Sequence, residues 1–248
     1  MKKKIDFDYI DIHSHILPGI DDGARDLDMS LAMIQTAYQE GIRAIVATPH
    51  YHPAKCRMHY EELLEHFEDF KKKIKEYCPE MELFLGREVY YTSDLLEELE
   101  EDSMFMIGRS HIILVEYDPT VDYSYLRTSI NNLIQMGYTP LIAHVERYLC
   151  MVEEWQRTEE LVSMGALIQI NQASVIGETG RPIRKFVKRL LKEQLVHAVG
   201  TDAHSNGRRS PVLNKCAEYI YKKYGYDYAR QILRDNAARI IQGDFLEV

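Results

Sequence analysis

The sequence has few cysteines and no long hydrophobic run. Only four of its 248 residues are cysteines, and no two of them form a Cys-x-x-Cys pair. Scattered cysteines predict free thiols rather than disulfides. No apolar stretch is long enough to span a bilayer, and aspartates interrupt the apolar residues after the basic start MKKK, which is not typical of a signal peptide. We therefore expect a cytoplasmic protein that does not insert into membranes.

The chain also lacks an excess of positive charge. Its formal net charge is -9 and its isoelectric point is near 5.6. Non-specific binding of DNA or RNA needs a basic surface, so we expect no nucleic-acid partner. A negative net charge does not exclude an anionic substrate, because metal ions or arginines can make the potential at the binding site positive.

Length and composition are those of an ordinary globular domain. Hydrophobic residues make up 46% of the chain and charged residues 28%. There is no low-complexity segment, no linker rich in proline or serine and no break in composition. We therefore predict that residues 1–248 form a single domain. The oligomeric state cannot be predicted from the sequence.

Short apolar runs alternate with amphipathic stretches along the whole chain. The stretch 60–77 places apolar residues on one helical face, and Asp28 is a candidate N-cap for a helix that Gly41 would end. Strand–helix alternation repeated seven times predicts a parallel sheet, and at this length a closed or nearly closed (β/α) barrel. The predicted strands are 9–13, 44–48, 82–86, 112–116, 140–144, 167–171 and 198–202.

The ends of these strands share one chemistry. In parallel (β/α) barrels the active site lies at the carboxyl ends of the strands. Six of the seven predicted strands have a histidine, glutamate or aspartate at their last residue or two residues after it, which core packing does not require. The candidate metal ligands are His13, His15, His50, Glu88, Glu116, His144, Asp202 and His204.

His13 and His15 are two residues apart on one predicted strand. Residues i and i+2 of a strand point to the same face, so both histidines are predicted to point into the barrel mouth. Ile10 and Ile12 are then expected to face outward, toward the helices. Neutral imidazole is the commonest metal ligand, and two on one strand can bind one ion.

The same spacing recurs elsewhere in the chain. Asp202 and His204 repeat it on the last predicted strand, and His52 follows His50 in the same way. Either His50 or His52 can be the ligand after the second strand. His50 is favoured because it directly follows a Thr-Pro pair.

Three carboxylates and five imidazoles exceed the needs of one ion. Mixed nitrogen and oxygen ligands suit Mn, Fe or Zn, and eight ligands predict two or three ions with a bridging carboxylate. Metal ions about 3.5–4 Å apart can activate a bridging hydroxide and stabilise the oxygens of a phosphoryl group.

Two arginine positions fit phosphate chemistry. Arg147 follows His144 by three residues, and Arg208 and Arg209 follow His204. A guanidinium matches phosphate oxygens bidentately, so Arg147 and one of the later pair are candidate phosphate ligands. The acidic loop LPGIDDGA predicts a tight turn beside the site, in which either aspartate could orient a histidine ligand or serve the turn alone.

Five segments together resemble one known superfamily. They are HSHILPGIDDGA, TPHYHP, GREVYY, AHVERY and GTDAH, and they span residues 11 to about 211. They are similar to the polymerase-and-histidinol-phosphatase (PHP) superfamily, and within it to the manganese-dependent protein-tyrosine phosphatases of bacterial capsule and exopolysaccharide operons. The resemblance implies an α/β fold, a distorted TIM-like barrel of seven βα units.

The resemblance also implies roles for single residues. Arg147 and Arg209 match the substrate arginines of the family, with Arg208 as the alternative, and manganese is the implied metal. The chain departs from the family pattern after His204, where Ser205 replaces a frequent asparagine. The implied ligand division is one ion on His13, His15, Glu88 and Asp202, a second on Glu88, Glu116 and His144, and a third on His50 and His204.

The implied reaction is hydrolysis of protein phosphotyrosine by in-line attack of a metal-bridging hydroxide. The implied partner is a bacterial tyrosine kinase with a tyrosine-rich tail. Metal-bound water or His204 could protonate the leaving phenolate. A cysteine mechanism of the Cys-x5-Arg type is excluded, because the residues six after the four cysteines are Glu62, Phe84, Gln156 and Lys222.

Other functions stay open at this point. A histidinol-phosphate or other small-molecule phosphatase of the same superfamily would share the metal ligands and differ in the pocket. A metal-dependent amidohydrolase would more often carry a lysine at a strand end, and no predicted strand here ends in lysine. A metal-binding regulatory module would leave the arginines unexplained.

Overall fold

A computed structural model describes residues 5–52, 56, 58–101, 105–108 and 110–244 of the chain. The strands are β1 (Tyr9–Ser14), β2 (Ile42–Ala47), β3 (His50–Tyr51), β4 (Glu82–Leu85), β5 (Glu88–Tyr90), β6 (Ile112–Glu116), β7 (Thr139–Ile142), β8 (Leu167–Asn171) and β9 (Ala198–Gly200). The α-helices are α1 (Leu27–Gln39), α2 (Tyr60–Tyr77), α3 (Leu95–Glu101), α4 (Tyr123–Gln135), α5 (Leu149–Glu153), α6 (Gln156–Ser163), α7 (Gln172–Ile176), α8 (Arg181–Lys192), α9 (Asn214–Tyr224), α10 (Tyr226–Arg230) and α11 (Asn236–Gln242). A 3-10 turn covers Val145–Arg147, and a π-helical turn, Gln231–Asp235, joins α10 to α11.

The strands form a curled parallel sheet. Their orders are β1-β2-β4 and β3-β5-β6-β7-β8-β9, and every paired strand is parallel to its neighbour. The last strand returns to the first, since Ser14 bridges Ala203 and the N–H of Asp202 donates to the carbonyl of His13 at 2.8 Å. This curled sheet with helices between its strands confirms the predicted parallel α/β class.

The two helices whose positions were predicted, α1 and α2, are present, with one error at a cap. Helix α2 spans the predicted 60–77 and buries Leu63, Phe67, Phe70 and Ile74 on one face. In α1 the N-cap is Asp26 and not Asp28, because the Asp26 side chain accepts from the N–H of Met29 at 2.9 Å. An N-cap needs extended backbone, which Asp26 has, whereas Asp28 lies inside the first turn.

Buried strand residues divide between two clusters. In β6, Leu114 belongs to an inner cluster enclosed by the sheet, whereas Ile113 and Val115 belong to an outer cluster that the helices cover. Each fully buried leucine or isoleucine stabilises the fold by roughly 1.5–3 kcal/mol relative to exposure. The inner cluster comprises Ile12, Val46, Ile107, Ile112, Leu114, Leu141, Ala143, Leu167 and Ala198, with Ala237, Ile240 and Ile241 at the C-terminal end of the chain.

The prediction that Ile10 and Ile12 face the helices is wrong. Ile12 is fully buried in the inner cluster with Leu114 and Leu141, and Ile10 packs against that cluster. The two histidines that follow nevertheless also point to the interior. Strict alternation along β1 cannot produce both results.

A β-bulge in β1 resolves this conflict. Asp11 pairs with Ile45 of β2, and Ser14 pairs with Ala47, so three steps along β1 match two along β2. The extra residue interrupts the alternation of side chains. The residues on both sides of the bulge therefore reach the interior, and the histidines stand directly above the apolar inner cluster.

Among the residues that the structure describes, no helix is both long enough and apolar enough to cross a bilayer.

Candidate metal centre

The predicted ligands come together at the carboxyl ends of the strands. His13, His15, Glu88 and Asp202 form the first group of candidate ligands, and each is no more than 2% exposed. Nε2 of His13 and Nε2 of His15 each lie 3.1 Å from Oε2 of Glu88. This group has the membership that the family resemblance implied for one ion.

Two further groups border the first. The second contains His50, Glu88 and Glu116, with Nδ1 of His50 at 3.1 Å from Oε1 of Glu116. His144 adjoins this group, because its Nε2 lies 2.6 Å from Oε1 of Glu88. The third group contains His15, Asp22, His50 and His204. Glu88 and the shared histidines therefore join all three groups into one centre.

Asp22 is the ligand candidate that the sequence interpretation did not single out. Its Oδ1 lies 3.3 Å from Nε2 of His50 and 3.3 Å from Nε2 of His204. The pattern of two consecutive aspartates a few residues after His-x-His was the available signal. It predicted only a turn or an orienting contact, because loop geometry decides which carboxylate reaches the histidines.

The buried carboxylates are held ionised. Burial alone would raise the pKa of Glu88, but the charge of His13 and hydrogen bonds from His13 and His144 outweigh it and hold the pKa well below its usual range. Burial would also raise the pKa of Asp202, but the charges of His13 and Arg147 outweigh it and lower that pKa. The centre thus offers ionised oxygen ligands to a cation.

Three of the histidines have a second partner at Nδ1. Nδ1 of His13 lies 3.1 Å from Oε1 of Gln169, and Nδ1 of His15 lies 2.7 Å from Oδ2 of Asp21. Nδ1 of His204 donates to the carbonyl of Asp202 at 3.0 Å. In each case Nε2 is the nitrogen that faces the other ligands. Such outer contacts orient metal-binding imidazoles in many proteins.

Burial and the nearby His15 lower the pKa of His204 to about 3. The imidazole is therefore neutral at pH 7. A neutral ring with its Nδ1–H committed to a carbonyl presents a lone pair at Nε2, which suits a ligand better than a proton donor.

Two candidate ligands have left-handed backbone. His144 has a φ of 30° and Asp202 a φ of 51°, and among the described residues other than glycine only Gln194 also has a positive φ. Such conformations cost on the order of 1–3 kcal/mol each and persist only where neighbours hold them. Here Gln169 accepts from the N–H of His144 at 2.8 Å, and Asn171 donates to Asp202 at 2.8 Å.

The loop LPGIDDGA folds back onto His15. The N–H of Ala24 donates to the carbonyl of His15 at 3.0 Å, and Gly19 has a φ of 72°. A Cβ at Gly23 would lie 2.2 Å from the same carbonyl oxygen, so only glycine fits there. The tight turn is what brings both aspartates to the histidines.

Both favoured arginines contact one carboxylate. Nη2 of Arg209 donates to Oδ1 of Asp202 at 2.8 Å, and Nη2 of Arg147 donates to Oδ2. Each of these two side chains is 40% exposed, so further N–H groups stay accessible to a ligand. Arg208 is exposed and makes no hydrogen bond or ion pair within the described part of the chain.

A cavity of about 680 Å³ opens beside the centre. It is lined by His50, Glu116 and Asp22 on one side and by Tyr90 and Tyr117 on another. His52 also lines it, with its ring 4.4 Å from that of Tyr90, and belongs to none of the three ligand groups found among the described residues. A slightly larger cavity of about 770 Å³ lies at the opposite end of the sheet, away from these groups.

The donor chemistry fits divalent cations. Imidazole nitrogens and carboxylate oxygens are the ligands that Mn, Fe and Zn share. The unpaired state of one imidazole nitrogen also fits cation binding, since the buried Nδ1 of His144 has no hydrogen-bond partner in the part of the chain that is described. No comparable gathering of histidines and acids exists elsewhere in the described ranges.

Known proteins resemble this chain over almost its whole length. The tyrosine-protein phosphatase CpsB of Streptococcus pneumoniae is 33% identical over 242 residues, which cover 96% of this chain and 100% of the relative. A solved structure of metal-dependent tyrosine phosphatases, YwqE from Bacillus subtilis and CpsB from Streptococcus pneumoniae, superposes with a TM-score of 0.89 at 28% identity, covering 96% of each chain.

A more distant structure shares the fold alone. The histidinol phosphate phosphatase of Lactococcus lactis superposes with a TM-score of 0.60 at 15% identity, covering 89% of this chain and 95% of the other. The model of the family described as "Capsular polysaccharide synthesis, CpsB/CapC" matches residues 9–242. The chain therefore belongs to the CpsB/CapC family of capsular polysaccharide synthesis.

Proposed function

We propose that this protein is a metal-dependent protein-tyrosine phosphatase. The observation that carries the proposal is one centre in which Glu88 joins groups of imidazole and carboxylate ligands, with Arg147 and Arg209 both on Asp202. Ionised ligands beside guanidinium groups suit a phosphate monoester. The name of the Streptococcus pneumoniae relative and the metal dependence of the superposed phosphatases support the same activity.

The centre would hold two or three divalent ions, most suitably Mn²⁺, with Fe²⁺ and Zn²⁺ as alternatives that the same donors accept. Bound ions would supply Lewis acidity at the phosphoryl oxygens and a nucleophilic hydroxide at neutral pH. The proposed ligands are His13, His15, Asp22, His50, Glu88, Glu116, His144, Asp202 and His204.

The arginines bind the phosphoryl group of the substrate. Their remaining N–H groups donate hydrogen bonds to its oxygens and offset the negative charge that develops in the transition state. Asp202 holds both guanidinium groups in place through separate oxygens. The leaving phenolate has a pKa of about 10, so it needs little protonation. His204 acts as a ligand, because its Nδ1–H is already donated to a backbone carbonyl.

We also propose that residues 1–248 form a single domain of seven βα units. Strands β2 and β3 are separated only by Thr48 and Pro49, and β4 and β5 only by Gly86 and Arg87. Each pair is then one interrupted strand, and the nine short strands become seven in the order of a distorted TIM-like barrel.

The proposed substrate is a phosphotyrosine protein, specifically a bacterial tyrosine kinase that controls capsule or exopolysaccharide synthesis. The family description, capsular polysaccharide synthesis, supports this partner. The alternative, a histidinol-phosphate phosphatase, is less favoured because the resemblance to such an enzyme is limited to the fold at 15% identity.

The test is phosphate release from a phosphotyrosine peptide by metal-stripped protein, with and without Mn²⁺. Histidinol phosphate is assayed beside it. We expect manganese-dependent hydrolysis of the peptide and weak hydrolysis of histidinol phosphate. Preference for histidinol phosphate would overturn the substrate and keep the metal centre. Absence of turnover on both, in protein shown to bind Mn²⁺, would overturn the enzymatic proposal.

A further inference from the structure

Helix α8 is a strongly basic element in an acidic protein. Its sequence, RPIRKFVKRLLK, contains six arginines and lysines and no acidic residue, whereas the chain as a whole carries a net charge of -9. The apolar residues Phe186, Val187, Leu190 and Leu191 are buried against the body of the protein. The basic side chains therefore gather on the outer face.

Most of this charge is unpaired. Arg181, Arg184, Lys185 and Lys188 are exposed and form no ion pair with any residue in the described ranges. The remaining two cations are near the end of the helix, where Arg189 lies 3.3 Å and Lys192 lies 3.8 Å from Glu193. The four unpaired side chains are called the basic face below.

The basic face opposes the local stability of its own helix. Arg181 and Lys185 are like charges four residues apart, as are Arg184 and Lys188, and such pairs destabilise a helix. Cations in the first turn also meet the positive end of the helix dipole, and α8 has no acidic residue there. The clustering of cations on α8 therefore does not serve the stability of the helix. Binding of an anionic ligand would explain it.

The helix begins at the end of the sheet that carries the metal centre. It follows β8 through α7, and the last residue of β8, Asn171, donates to Asp202. It ends six residues before β9 starts, at the opposite end of the sheet. Helix α8 also packs against the turn Val145–Arg147, which carries one of the phosphate-binding arginines.

We propose that the basic face binds an acidic segment of the substrate protein, next to the phosphotyrosine whose phosphate enters the metal centre. Its ligands are carboxylates or further phosphotyrosines of the same polypeptide. This inference rests on the proposed phosphatase function and adds the class of substrate: phosphotyrosine in an anionic sequence. Guanidinium and ammonium groups supply the charge-assisted hydrogen bonds that such a segment needs.

An anionic membrane is the less favoured ligand of the same charge. Helices that lie on membranes insert an apolar face beside their basic residues. The apolar face of α8 is buried within the protein. Among the described residues, the large exposed hydrophobic ones are Leu64, Tyr77, Tyr125 and Leu149, and none of these lies on α8.

The test uses a triple charge reversal, Arg181→Glu, Lys185→Glu and Lys188→Glu, in the full chain loaded with Mn²⁺. The control reverses three exposed lysines elsewhere, Lys71→Glu, Lys73→Glu and Lys223→Glu, and changes the net charge equally. Three substrates are compared: p-nitrophenyl phosphate, a phosphotyrosine peptide with glutamates on both sides, and the same peptide with glutamines in their place.

We expect the triple variant to raise KM for the glutamate peptide at least tenfold and to abolish the dependence of that KM on salt. Turnover of p-nitrophenyl phosphate and of the glutamine peptide should stay at the wild-type level, and the control variant should behave like wild type throughout. An unchanged KM for the glutamate peptide would overturn the inference while leaving the phosphatase intact.

Two further outcomes are separable. Loss of binding to vesicles of anionic phospholipid, with unchanged peptide KM, would assign the basic face to a membrane and overturn the inference. Failure of the wild-type protein to hydrolyse any phosphotyrosine substrate would instead contradict the proposed function itself. Circular dichroism of the triple variant establishes that it is folded before these results are compared.

Discussion

Nδ1 of His13 lies 3.1 Å from Oε1 of Gln169, and this contact determines the tautomer of the imidazole. The backbone N–H of His144 donates to the same oxygen at 2.8 Å. Because a backbone N–H can only donate, the Gln169 atom that faces it must be oxygen. His13 must then carry a proton on Nδ1, so Nε2, which faces Glu88 and Asp202, is the nitrogen that would give up its proton to bind a metal ion.

Replacement of Gln169 by methionine should weaken Mn²⁺ binding roughly 10- to 100-fold, because the outer partner of His13 is lost. Mn²⁺ titration calorimetry measures the affinity, and ¹⁵N NMR of the metal-free protein reports the His13 tautomer. Gln135→Met, on an exposed position of α4, is the matched control. An unchanged affinity together with an unchanged tautomer would show that Gln169 has no positioning role.

Asp22→Asn should lower the number of ions bound without unfolding the protein. The Asp22 side chain is 69% exposed and reaches both His50 and His204, so its loss removes one ligand and little packing. Metal content after equilibrium dialysis at limiting Mn²⁺ measures the effect. Asp28→Asn, at an exposed position in α1, is expected to retain the full metal content. Equal metal content in the two variants would exclude Asp22 as a ligand.

Arg209→Ala should reduce kcat/KM for a phosphotyrosine peptide by about 10²- to 10³-fold, as expected for loss of a donor that stabilises the transition state. Arg208→Ala is the internal control, since this neighbour is exposed and lies outside the contacts to Asp202. Steady-state kinetics on both variants test the assignment. A larger loss for Arg208→Ala would exchange the roles of the two arginines.

The free energy of unfolding should fall as pH drops from about 6.5 to about 4, partly because of His197. Burial lowers the pKa of His197 from 6.5 to about 4. In this window the unfolded state binds a proton that the folded state does not, so acid favours unfolding. A shift of this size corresponds to at most about 3 kcal/mol.

The variant His197→Asn isolates this contribution. Asparagine can still accept from the N–H of Ile168, which donates to Nδ1 of His197 at 3.1 Å, but does not titrate. Urea unfolding of both metal-free proteins across pH 4–7 should give a shallower pH dependence for the variant. Parallel curves would mean that His197 titrates normally in the folded protein. The metal-centre histidines are common to both proteins and cancel in the difference.

Much of the fold followed from local patterns. The bounds of α2 and the positions of seven of the nine strands were predictable, because burial imposes periods of 3.6 and 2 residues on helices and strands. Strands β3 and β5 were not predicted, because each follows a predicted strand after an interruption of only two residues. Helices α5 and α7 were not predicted, because a five-residue helix makes little more than one turn and shows no helical period.

The candidate ligands at the strand ends were also readable, because parallel strands bring their carboxyl ends to one rim. Asp22 was predicted only to orient a histidine or to serve the turn, and Gln169 was not predicted to belong to the centre. Their roles depend on a turn and on contacts between residues far apart in sequence, such as the 156 positions between His13 and Gln169.

The sequence by itself determined the class of the fold, the kind of ligands and the location of the centre along the chain. These follow from residue type, spacing and strand direction, which are local or shared by every parallel barrel. The tertiary structure decided that Ile12 and His13 both face inward, through the bulge in β1. It also decided which carboxylates meet which imidazoles, because strand register and loop closure are set by packing across the whole sheet.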